Sequence, residues 1–177
     1  MDKTDLIYQL ASTGRYYFLG RPRRFGKSLL LSTMEAYFQG KKELFQGLAL
    51  ENLEKDWTQY PVLHLDLGGK TYDKPEDLEI ILDIHLRQWE KDCDMTAPYP
   101  EPDARFRMII DTAYEKTGKP VVILIDEYDK PIVDNLENNV LKETFRRRLS
   151  GFYSVMKARD GKIRLGFLTG ITKMGQL

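Results

Sequence analysis

Apolar positions along the chain switch between two periods. Four short apolar runs have the length of strands: Tyr16–Leu19, Val62–Leu67, Val121–Ile125 and Ile163–Leu168. The third, Val121-Val122-Ile123-Leu124-Ile125, is continuous and rich in β-branched residues, so it reads as a strand covered on both faces of a parallel sheet. Between the runs the spacing lengthens to that of helices. Leu6, Ile7 and Leu10 mark a short helix over Asp2–Ala11, with Gly14 beyond its end. Leu30, Met34 and Phe38 recur along a helix from Lys27 to about Gln39, which Gly40 closes. Residues 41–60 read as a helical excursion, with Leu44, Phe45, Leu48 and Trp57 packing back. Asp73 and Pro75 open a helix to about Asp92. A proline-rich loop, Ala97–Pro102, precedes a helix capped by Asp103, striped by Phe106, Ile109, Ile110, Ala113 and Tyr114, and stopped by Gly118. Leu141, Phe145, Leu149, Phe152 and Met156 define the buried face of a long helix, about Leu136–Arg159.

Strands alternating with helices predict a three-layer α/β domain with a parallel sheet and right-handed crossovers. The chain has 177 residues, 42% of them hydrophobic, which suits one domain with a real core. Lys plus Arg equals Asp plus Glu at 27 each, an unsuitable balance for a domain built to coat nucleic acid. Cys93 is the only cysteine, so no intrachain disulfide exists and a reducing compartment is the natural reading. His64 and His85 provide no zinc-ligand spacing, and His85, set among Ile81, Leu82 and Trp89, reads as a packed residue. No apolar run approaches the ~18 residues of a membrane span. The N-terminus lacks a signal-peptide pattern, so no membrane partner is expected and the cytoplasm is the expected location.

The sharpest chemical signal is Arg21-Pro22-Arg23-Arg24-Phe25-Gly26-Lys27-Ser28, placed between the first strand and the second helix. A loop ending in Gly-Lys-Ser, after a strand and before a helix, is the setting of a phosphate-binding loop. Backbone N–H groups at the helix start attract anions. Gly26 lets the backbone approach phosphate, Lys27 reaches the β- and γ-phosphates, and the Ser28 hydroxyl binds Mg²⁺. The motif departs from the usual G-x-x-x-x-G-K-[ST]: Arg21 stands where the first glycine belongs. Either Arg21 adopts a backbone conformation that glycine favours, or the loop is re-cut around Gly20 and Pro22.

Asp126-Glu127 directly follows the third strand. Ligands of open α/β sheets bind beyond the carboxyl ends of strands, so the pair adjoins the phosphate loop if both strands share a sheet. Asp126 then holds Mg²⁺ and Glu127 takes a proton from the attacking water. The fourth strand ends in Thr169-Gly170, where the threonine can hydrogen-bond water or γ-phosphate. Asp66 at the end of the second strand reads as a turn residue. Arg146-Arg147-Arg148 fan around their helix and read as a solvated face, with an arginine finger or a DNA contact as the sharper alternative.

These motifs resemble the AAA-ATPase-like P-loop family of gut Bacteroidetes and other anaerobes. The resemblance is carried by R-P-R-R-F-G-K-S-L-L-L-S-T at 21–33 and V-V-I-L-I-D-E-Y-D-K-P-I at 121–132, with D-K-T-D-L-I at 2–7 and G-F-L-T-G-I-T-K at 166–173. It implies that Arg23, Arg24, Phe25, Gly26, Lys27, Ser28 and Leu29 surround the nucleotide. It further implies Ser28 and Asp126 as metal residues, and Glu127, Lys27 and Thr169 as the catalytic set. It implies a P-loop NTPase with strand order 2-3-4-1, and a domain over 1–177 truncated at its C-terminus, the fifth strand and lid missing. Relatives typically carry a C-terminal domain resembling restriction nucleases.

The function expected is Mg²⁺-dependent ATP hydrolysis driving a conformational cycle, with ATP and Mg²⁺ as cofactors. Two alternatives stand beside it: a nucleotide-binding switch that turns over negligibly alone, and the motor part of a DNA-acting nuclease. Partners expected are a second copy in an oligomer or another protein, with DNA reached only through the missing C-terminal domain. A GTPase is disfavoured because no N-K-x-D motif occurs. A small-molecule kinase is disfavoured by the adjacent Asp126-Glu127 and the lack of an arginine-bearing lid.

Overall fold

Every residue of Val121–Asp126 is buried, and its side chains divide by parity. Val121, Ile123 and Ile125 enter one apolar cluster, while Val122 and Leu124 enter the other. Both faces of this strand are therefore covered, which is why its sequence shows no alternation.

The computed structural model describes residues 2–22, 24–96 and 99–172. Its elements are α1 (Asp5–Thr13), β1 (Tyr16–Gly20), α2 (Lys27–Phe38), α3 (Ala49–Leu53), β2 (Val62–Asp66), α4 (Pro75–Asp92), α5 (Pro102–Thr117), β3 (Val121–Asp126), α6 (Lys130–Val133), α7 (Asn139–Ala158) and β4 (Ile163–Gly170). Short 3-10 turns fill Lys42–Phe45 and Asp160–Lys162. The sheet is parallel, in the order β1-β4-β3-β2, which is the order 2-3-4-1 read from the opposite edge. One face packs on α4, α5 and α7 through Leu78, Leu82, Phe106, Ile110, Leu149 and Phe152. The other packs on α1 and α2 through Ile7, Leu31, Met34 and Phe38. Phe106 and Phe152 stack with ring centroids 4.4 Å apart, locking α5 to α7.

Several boundaries differ from the sequence reading, each for a local reason. The first helix starts at Asp5, because the Asp2 side chain instead accepts the N–H groups of Thr4 and Ala49. Asp73 does not cap α4: Asp77 reaches back to accept the N–H groups of Asp73 and Lys74. Asp103 lies inside the first turn of α5, where Glu101 is the N-cap and Pro102 the first residue. The long helix starts at Asn139, since the Asn138 side chain caps it by accepting from Leu141 N–H. The unforeseen α6 opens with Pro131 in its first turn. Leu44 is exposed, while Phe45 is buried and Trp57 packs on Phe45 and Tyr37. Gly40 closes α2 as read: its N–H bonds Tyr37 O and Lys41 N–H bonds Ala36 O. Of the three arginines, Arg148 is structural, spanning from α7 to Glu79 of α4 and Asp103 of α5.

On the β1 side of the sheet, α7 leaves a groove of about 880 Å³ floored by Phe18, Tyr128, Leu149, Tyr153, Met156 and Leu168. Among the described residues, no helix is long and apolar enough to cross a membrane.

Candidate functional site

Parallel strands bring the carboxyl ends of β1, β3 and β4 to one edge. The ladder between β1 and β4 runs one residue past β1, where Arg21 N–H donates to Gly170 O at 3.0 Å. Arg21 thus still pairs with β4, and among the described loop residues the left-handed backbone falls at Arg24, φ 66°, and Gly26, φ 75°. The missing first glycine is accommodated by moving the tight part of the loop downstream. Gly26 is the N-cap of α2, and its carbonyl accepts from Leu30 N–H.

Lys27 is 5% exposed despite its charge. Its Nζ donates to the carbonyls of Arg21 and Pro22, each at 3.0 Å, so the loop closes over its own lysine. Arg24, Phe25 and Leu29 are exposed around it, and Arg23 lies outside the described residues.

Ser28 Oγ donates to Asp126 Oδ2 at 2.5 Å, and Thr169 Oγ1 donates to Asp126 Oδ1 at 2.5 Å. The carboxylate of Asp126 is therefore held from α2 on one side and from β4 on the other. Glu127 follows with φ 51°, a conformation that costs a non-glycine residue about 1 kcal/mol or more. It is held there by Thr169, whose hydroxyl accepts Glu127 N–H at 3.2 Å and whose carbonyl accepts Tyr128 N–H at 2.9 Å. The Glu127 carboxylate lies against Gly68. A Cβ at position 68 would fall 3.1 Å from Glu127 Oε2 and 3.0 Å from Asp66 Oδ1, so a larger residue there would push both carboxylates aside by a few tenths of an ångström. Asp66 itself accepts Gly68 N–H at 2.7 Å, the turn role read from sequence. His85 is packed as read, bonding Ile81 O and lying beside Trp89.

Four residues around the site carry no role in the sequence reading, although Asp129 lies within the 121–132 motif. Glu35 of α2 bonds His64 of β2 at 2.8 Å beneath the site. That hydrogen bond raises the His64 pKa above its usual value and lowers that of Glu35. Asp129 is buried and takes up the chain leaving β4. Gly68 gives no signal beyond sitting in a Gly-Gly pair.

The chemistry of the set is that of hard oxygen donors. A serine hydroxyl and a carboxylate in contact fit Mg²⁺, which takes one or two protein oxygens and completes its shell from water and phosphate. Among the described residues, no group of three or more His, Cys, Asp or Glu forms a metal cage by itself.

No solved structure matches the chain. A protein of Azotobacter chroococcum mcd 1, described as "Uncharacterized protein in vnfD 5'region", is 39% identical over 178 residues, covering 100% of this chain and 34% of that protein. The chain thus spans about a third of that relative's length. A family model described as "Predicted AAA-ATPase" matches residues 1–177. With its parallel sheet and a Gly-Lys-Ser loop beside a strand-end acid pair, the chain belongs to this predicted AAA-ATPase family.

Proposed function

We propose that residues 1–177 form one nucleotide-binding unit that takes up Mg·ATP and hydrolyses its β–γ bond with water, driving a conformational cycle. The observation that carries this reading is the contact of Ser28 with Asp126, beside Lys27 and Glu127, at the carboxyl edge of the sheet. In this reading Lys27 leaves the carbonyls of Arg21 and Pro22 for the β- and γ-phosphates. The first-turn N–H groups of α2 face the phosphate oxygens. Ser28 and Asp126 hold Mg²⁺, and Glu127 orients the attacking water and accepts its proton. Mg²⁺, when bound, neutralises charge developing on the phosphate oxygens. The products are ADP and phosphate.

One observation favours a second reading, a switch with negligible turnover alone. The lysine is tied to its own loop, and it must leave the carbonyls of Arg21 and Pro22 before it can meet phosphate. The partner in either reading is a second copy or another protein. One experiment tests both: ATP titration with and without Mg²⁺, followed by turnover of wild type and Glu127→Gln. The variant is expected to keep Mg·ATP bound and lose about 10²-fold or more in turnover. Normal hydrolysis by Glu127→Gln would remove Glu127 from the mechanism. Binding without turnover in the wild type would favour the switch, and absence of binding would end both readings.

A further inference from the structure

We infer that Thr169 is a positioning residue for both members of the acid pair, and that Asp129 makes its placement depend on the chain leaving β4. The inference rests on the nucleotide reading above and assigns Thr169 a role other than touching water or phosphate.

A threonine hydroxyl has one proton to give. Here that proton goes to Asp126 Oδ1, in a residue with no exposed surface. The same oxygen accepts Glu127 N–H, and the Thr169 carbonyl accepts Tyr128 N–H. One residue of β4 thus fixes the metal-binding carboxylate, the left-handed backbone of Glu127 and the residue after it. The β3–β4 strand register ends at Ile125 and Leu168, so these bonds carry the contact between the two strands past the end of their ladder.

The zipper continues for three residues. A Cβ on Gly170 would lie 2.5 Å from the Tyr128 ring and 2.7 Å from Asp129 Oδ1, so the two chains run flush. Asp129, 1% exposed, then accepts Ile171 N–H at 3.0 Å, Thr172 N–H at 2.7 Å and the Thr172 hydroxyl at 2.6 Å. A buried carboxylate held by three donors is costly to release, because its negative charge would lose all three at once. Residues 170–172 therefore cannot shift without pulling on Asp129, and through the shared segment on Thr169 and the acid pair. Force or ligand binding on the chain following β4 has a short mechanical path to Asp126 and Glu127.

The test compares wild type, T169V, T169S and D129N. Each is measured for Mg²⁺ dependence of ATP binding, for kcat and KM, and for thermal melting. Loss of an orienting partner behind a metal ligand typically costs about 10- to 100-fold in metal affinity or activity. T169V is expected to raise the Mg²⁺ needed for half-saturation by that factor and to lower kcat, while ATP binding without Mg²⁺ stays at the wild-type level. T169S keeps the hydroxyl and is expected to restore both properties. D129N is expected to move both in the T169V direction, and it decides the matter should T169V fail to fold.

A fall in kcat with unchanged Mg²⁺ dependence would mean that Thr169 touches the reacting atoms, which overturns the inference. T169S as impaired as T169V, or T169V and D129N behaving as wild type, would also overturn it. Wild-type protein that binds no Mg·ATP is a different result: it removes the nucleotide reading itself.

Discussion

Replacing Lys27 with alanine separates a phosphate-binding lysine from one that merely closes its loop. In the free protein the ammonium already has two acceptors, the carbonyls of Arg21 and Pro22. Phosphate must therefore offer more than those two bonds. A unit charge pair at ~4 Å gains about 4 kcal/mol at an effective dielectric constant near 20. Giving up the carbonyl bonds, each worth about 1 kcal/mol net, removes roughly half of that. The remaining ~2 kcal/mol corresponds to about a 30-fold loss of ATP affinity in Lys27→Ala. Arg21 and Pro22 are exposed, so water replaces the lysine at their carbonyls. The melting transition should therefore shift by no more than about 1 kcal/mol equivalent. Isothermal titration with ATP, with and without Mg²⁺, gives the first quantity, and differential scanning calorimetry the second. A variant that titrates like wild type would refute the phosphate-loop assignment. One that unfolds would show that the lysine is there for the loop.

Two further results follow from packing and charge. Phe106 is 1% exposed and stacked on Phe152, so Phe106→Ala should cost about 3–5 kcal/mol in urea unfolding; a loss under about 1.5 kcal/mol would mean the α5–α7 seam collapses onto the gap. The Glu35–His64 pair gives a pH signature. The raised His64 pKa contributes stability that is fully present below its ordinary 6.5 and lost as pH rises through the folded value. The lowered Glu35 pKa contributes above its ordinary 4.5 and is lost as pH falls through the folded value. The carboxylates of Asp66 and Asp126 reinforce the first effect, and Lys41 the second. The melting-temperature gap between wild type and Glu35→Gln should therefore be widest between these two ordinary values and narrow towards about pH 9. A gap independent of pH would show that the pair is held by packing alone.

What could be read from the sequence was whatever is written locally. β3 was legible because five consecutive apolar residues, rich in β-branched side chains and preceded by Gly118-Lys119-Pro120, fit a strand covered on both faces, and α2 because its stripe and Gly40 agree. Ser28, Asp126 and Thr169 could be named because each sits at a strand-to-helix junction or strand tip. Their mutual bonds could not, since Asp126 and Thr169 are 43 residues apart. Glu35 and His64 look like ordinary polar positions on a helix and a strand, and meet only through the packing of α2 on β2. The loop motif left two alternatives, a strained Arg21 or a loop re-cut around Gly20 and Pro22; the first does not hold, since Arg21 still pairs with β4 and the left-handed backbone is at Arg24 and Gly26. Asp73 and Asp103 have the chemistry of caps, but Asp77 takes the N–H groups of Asp73 and Lys74, and Asp103 lies inside α5 with its carboxylate on Arg148.

The strand order also dictates a timetable. Among the described residues, β4 comes last in sequence yet sits between the first strand and the third, so of these strands it is the one that pairs with β1. Arg15 bonds Ile163 across a separation of 148 residues. At a ribosomal rate of roughly 5–20 residues per second, β1 waits for about 7 to 30 seconds before its partner has even been made. Closing so long a loop draws on chain entropy before any contact repays it, which places this topology among slow folders. β2 and β3 can pair earlier, leaving a half-sheet with β3 bare along the edge that β4 will fill. A nascent chain paused there presents an apolar edge to every other chain around it. Newly made protein should depend on chaperones far more than the finished domain does, and substitutions that slow the entry of β4 should lower yield without lowering the stability of the molecules that succeed in folding.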